Sequence, residues 1–127
     1  MRDRLPLRER TLGDSLPIRL GGLAANLRRI RSFAVHENGE EAVISLIEEC
    51  KYFIEWTASE APIETAAQLV DLQVQLARWQ HHWARIWSDP MGRQRLAEHS
   101  LAWSDRVLGL SGLLPSQHPQ GNRPQTT

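Results

Sequence analysis

The chain has 127 residues, with 15 basic and 15 acidic side chains, no net charge and 41% hydrophobic residues, which is enough for one domain with a modest core. A neutral balance argues against nucleic-acid binding, which favours a net basic face, and no apolar run approaches the ~20 residues that cross a bilayer. The single cysteine, Cys50, excludes an internal disulfide and a thiolate zinc cluster.

Residues 1–16 read as an irregular, Arg-rich arm, because Pro6, Gly13 and Pro17 interrupt any long helix. Met1-Arg2-Asp3-Arg4 leads into no apolar stretch, so no cleaved secretory signal is expected, and Asp3, Glu9 and Asp14 argue against a transit peptide. A cytoplasmic protein is the expectation. Charge is laid down in blocks: residues 1–31 carry eight arginines against three acids, and residues 37–64 carry eight glutamates against one lysine, Lys51. Such blocks suit pairing within or between chains better than pairing with a polyanion.

A first helix is predicted over about 17–35, with Pro17 in its first turn, where an amide has no partner to lose. Leu20, Leu23, Leu27, Ile30 and Ala34 recur at spacings of three and four and mark its buried face. A second helix is expected over about 39–59, started by Asn38 with Glu41 three residues on, a variant of the capping box. Its inner face is Val43, Leu46, Ile47, Cys50, Phe53, Ile54 and Thr57, where Cys50 reads as a buried, inert thiol. Glu41, Glu48 and Glu55 form an acidic stripe on the other side. Evenly spaced acids of this kind are ordinarily a solvated face.

The third predicted helix, about 62–87, carries two apolar rows. Leu69, Leu72, Leu76, Trp79, Trp83 and Ile86 form one; Ala66, Val70, Val74, Ala77, His81 and Ala84 form the other. Together they cover more than half of the circumference at about 100° per residue, wider than a surface helix needs. The helix is therefore expected to be central in the fold or shared with a second subunit. Asp89 and Pro90 are predicted to cap and open a fourth helix over about 90–109, with Gly109 and Gly112 as candidate terminators. Residues 113–127 are expected to be a disordered tail. The domain organisation is thus an arm at 1–16, a helical domain at 17–112 and the tail. The fold class is all-α, a four-helix up-down bundle, because the connections between the four segments are short.

Trp79, Trp83 and Trp87 stand four apart and form one ridge on the third helix. Tryptophans at helical spacing commonly fill a core; they and arginine are also the enriched anchors of protein interfaces. Arg78 and Arg85 are placed to stack on neighbouring rings. These five residues are the candidate interaction site. His81 and His82 point about 100° apart on a regular helix and cannot ligate one metal together, so neither a metal nor another cofactor is expected. No phosphate loop, nucleophile elbow or nucleophile–base pair is present. The function expected is a small, non-catalytic protein-interaction module, an adaptor, assembly or regulatory factor that forms a homodimer and binds neither nucleic acid nor membrane. The alternative is a small-molecule or cofactor binder in the bundle core.

Overall fold

The computed structural model describes residues 5–112, and every described segment of regular structure is helical. There are six α-helices among these residues rather than four: α1 (Leu5–Gly13), α2 (Leu16–Ala34), α3 (Glu40–Thr57), α4 (Ile63–His81), α5 (Trp83–Trp87) and α6 (Pro90–Ser111). Among the described residues no helix is long and apolar enough to cross a membrane. The predicted tail lies outside the described residues.

The segment 5–13, expected to be irregular, is helix α1. Pro6 sits in its first turn, where it breaks no hydrogen bond, and Gly13 is its last residue, so neither interrupts it. Tertiary contacts do the rest. Thr11 is buried, with its hydroxyl donating to the Leu7 carbonyl at 2.8 Å. The buried Arg19 guanidinium donates to the carbonyls of Leu12 (2.9 Å), Asp14 (3.0 Å) and Trp56 (3.2 Å), and pairs with Glu60 at 3.1 Å. One cation thereby satisfies orphan carbonyls at the C-terminal ends of α1 and α3, where the helix dipoles favour positive charge.

The start of α3 also differs from expectation. Glu37–Gly39 form one 3-10 turn, Gly39 precedes the helix, and no side chain caps it, so the Asn38–Glu41 capping box does not form. The steric reason is at Gly39: a Cβ there would lie 2.2 Å from the Phe33 carbonyl oxygen. The corner between α2 and α3 closes by backbone approach. At α6 the expected cap is present, with Asp89 Oδ1 accepting from the Met91 amide at 3.0 Å and Pro90 opening the helix. Gly112, with φ of +73°, closes it in the left-handed conformation that glycine adopts most easily.

The core is one cluster. α2 contributes Leu20, Leu23, Leu27 and Ile30; α3 Val43, Ile47, Cys50 and Ile54; α4 Leu69, Leu72 and Leu76; α6 Leu96 and Val107. The central helix is α2, not the tryptophan-bearing helix: α2 packs most extensively against α6 and next against α3. Small side chains permit it. The buried face of α6 includes Ala97, Ser100 and Ser104, and Ser104 Oγ donates to the Ala24 carbonyl at 2.8 Å. Leucines at those positions would hold the two helices farther apart. Cys50 is fully buried, and burial with the neighbouring Glu49 pushes its thiol pKa far above the ordinary range, as expected of an inert thiol.

Candidate functional site

The long segment 62–87 breaks at His82, whose backbone (φ −103°, ψ 20°) leaves the helical region between α4 and α5. Hydrogen bonds still cross the break, from the His82 amide to Arg78 and from the Ile86 amide to His82, both at 3.0 Å. The side chains on either side are heavily engaged. Trp83 donates its Nε1–H to Glu40 Oε2 at 2.9 Å, tying the break to the start of α3. The Trp83 and Trp87 rings stack with centroids 5.3 Å apart and planes 19° off parallel.

The tryptophan ridge is turned inward. Trp79 is 5% and Trp87 9% exposed, and Trp83 is half-buried. Arg78 and Arg85 are exposed; Arg85 Nη2 lies 3.1 Å from His82 Nδ1. Neither makes a cation–π contact with the ridge. Among the described residues the ridge's cation–π contact comes from α6, with Arg93 5.5 Å from the Trp87 ring centre; Arg106 lies 4.1 Å from the ring centre of Trp103, within α6 itself. Arg93 also donates to the Trp87 carbonyl at 2.6 Å. The five candidate residues therefore divide: three indoles that fasten α4 and α5 to the rest of the fold, and two guanidiniums at the surface.

What faces solvent on α4 is the middle of its second apolar row, Val70, Val74, Ala77 and His81, extended toward the N-terminus by Ile63 and Ala67 rather than by the half-buried Ala66. Ile63 is 80% exposed, Val70 53% and Val74 46%. With Ala67, Ala77 and His81, also exposed, they recur at spacings of four and three along the whole helix. This stripe lies about 180° from Leu72 and Leu76, so α4 is apolar on two opposite sides. One side is core. Nothing in the described chain covers the other. Sequence periodicity finds both rows but not which of them is buried.

A second feature is a cleft of about 320 Å³ where α4 and α6 diverge. Trp79, Ile86 and Leu96 form its apolar surface, and Arg85, Arg95, His99 and Gln75 its polar rim. Asp89 is the one acid there, and it caps α6 while lying 3.9 Å from Arg95. Arg95 and His99 carry no periodic signal, and only the tertiary fold brings them beside Arg85. Elsewhere the acidic stripe of α3 is exposed at Glu41, Glu48 and Glu55, as expected of a solvated face. The α2 arginines find other partners: Arg28 pairs with Asp105 at 3.2 Å, and Arg29 donates to Asn26, which in turn donates to Glu49. Among the described residues no group of three or more His, Cys, Asp or Glu side chains is placed to hold a metal ion. No family model matches the chain, and neither a curated protein nor a solved structure matches it.

Proposed function

We propose that the chain is a small, non-catalytic helical interaction module, an adaptor, assembly or regulatory factor of the cytoplasm. In this reading its four long helices, α2, α3, α4 and α6, act as an up-down bundle, and the protein works as a homodimer. The observation that carries the reading is the solvent-facing row on α4, with Ile63, Val70 and Val74 all at least 46% exposed on a helix whose other side already supplies the core. Scattered apolar residues on a surface mean little; a continuous stripe at helical spacing is the geometry of a docking helix. The tryptophan ridge supports this by a different route than sequence suggests, since it holds α4 rigid and so presents the stripe as a fixed surface.

The test is Val74→Glu. Val74 is 46% exposed and glutamate has the higher helix propensity, so unchanged melting of the variant is the control for an intact monomer. Light scattering should give a dimeric mass for the wild type and a monomeric mass for the variant; a wild type that is monomeric at every concentration ends the homodimer reading. A second reading, a small-molecule binder, is supported by the cleft at Trp79, where an indole floor meets Arg85, Arg95 and His99. It differs from a site in the bundle core, because leucines fill that space. A ligand-induced rise in melting temperature from planar carboxylates, abolished by Arg95→Ala, would establish it.

A further inference from the structure

The α4 stripe is flanked on its α6 side by a row of charges seven residues apart: Glu64, Asp71 and Arg78 on α4, and Arg85 on α5. All four are exposed, and no ion pair among the described residues uses Glu64, Asp71 or Arg78. The row is acidic in its first half and basic in its second. That order matters because the stripe itself is a heptad pattern, alternating spacings of four and three from Ile63 to His81, the signature of a helix that packs along one other helix. Its members are valine and alanine for the most part, which let two axes approach closely.

We propose that the occupant of this face is the same face of a second copy, laid antiparallel, with Asp71 opposite the partner's Arg78 and Glu64 opposite the partner's Arg85. This rests on the interaction reading above and specifies its geometry. Antiparallel packing places the flanking row of one helix beside the flanking row of the other, so the acidic half of each meets the basic half of its partner. Parallel packing opposes this row to the other flank, Ala66, Gln73 and Gln80, which carries no charge. Among antiparallel registers, one heptad step separates two that bury nearly the same valines and alanines. In the first, Val70 meets the partner's Val74 and Asp71 falls opposite the partner's Asp71. In the second, Val74 meets the partner's Ala77 and all four charges find opposites. Both registers bury Ala67, Val70, Val74 and Ala77; the first alone sets Ile63 opposite the partner's His81, and the second alone leaves no like charges opposed, which is what selects it in this proposal. The contact is isologous, so it closes at two copies and gives no filament.

The experiment is a dilution series of the full chain followed by sedimentation, for the wild type, Asp71→Arg, Arg78→Asp and the double variant. These side chains are exposed, and unchanged melting by circular dichroism reports intact folding. Each single reversal should raise the dimer dissociation constant about tenfold or more, and the double variant should return to within about threefold of the wild type. A double variant no tighter than the singles overturns the register, and singles indistinguishable from the wild type overturn the antiparallel arrangement. If Val74→Glu still dissociates the dimer in either case, the interaction reading survives while this geometry fails. A wild type that never dimerises removes both.

Discussion

Replacing Arg19 with alanine should loosen the protein at one identifiable place. The guanidinium is 6% exposed and donates three hydrogen bonds to backbone carbonyls, at 2.9, 3.0 and 3.2 Å, two of them at the ends of α1 and α3. A hydrogen bond from a charged donor contributes about 1.5–3 kcal/mol, so the three together set an upper limit of several kcal/mol. Two effects reduce it. Removing the cation also removes its desolvation cost, and the open cleft of about 290 Å³ beside Arg19, Asp14 and Thr11 lets water reach freed carbonyls. The Glu60 pair adds little, since that carboxylate is 55% exposed. The expected net loss is about 3 kcal/mol, or about 10–15 °C in melting temperature for a domain of this size. Urea unfolding measures the total, and hydrogen exchange locates it: amides of 5–13 should exchange faster while those of α2 and α6 change only with global stability. Arg19→Lys should fall between wild type and alanine, because an ammonium cannot span three carbonyls in the guanidinium geometry. A loss under about 1 kcal/mol with α1 exchange unchanged would refute the view that Arg19 fastens α1 to the body.

Other consequences are open to direct measurement. Ser100 is fully buried and its hydroxyl has no hydrogen-bond partner, whereas Ser104 donates to the Ala24 carbonyl; Ser100→Ala should stabilise by about 1 kcal/mol and Ser104→Ala destabilise by about as much in the same urea assay. Gly39→Ala should cost about 2–3 kcal/mol, because its Cβ would meet backbone at 2.2 Å, while Gly22→Ala, whose Cβ would lie 3.6 Å from the Phe53 ring, should raise stability by up to about 1 kcal/mol. Trp79→Ala should cost about 3–5 kcal/mol as a core deletion. Cys50 should resist thiol reagents at neutral pH until the chain unfolds, since burial holds it in the unreactive protonated form.

The inward faces of α2 and α3 were legible in sequence, because a strip of leucine, isoleucine and valine at spacings of three and four has one good solution in water. Leu20, Leu27 and Ile30, and Val43 with Ile47, all lie where periodicity places them. Asp89 was legible for a local reason, its side chain bonding two residues ahead. Three features were not. Helix α1 depends on Arg19, a contact from outside its own segment. The break at His82 has neither proline nor glycine to announce it. The α4 surface was ambiguous in principle: two apolar rows of similar spacing leave the inner one undetermined, and the choice rests on where α3 and α6 lie. The same ambiguity covers the candidate site, since Trp79 and Trp87 fit a core or an interface equally well until their surroundings are known.

The seam between α2 and α6 also sets an order of assembly. Ser104 meets Ala24 across 80 residues of chain, and α6 is the last described helix to be synthesised. While α3 and α4 emerge from the ribosome, the side of α2 that carries Ala24 has no cover. Helices α2 and α3 can pair early through a short connection, but the core closes only when α6 arrives, the step with the largest loop to close. A nascent chain stalled before residue 104 would expose that seam to chaperones and proteases.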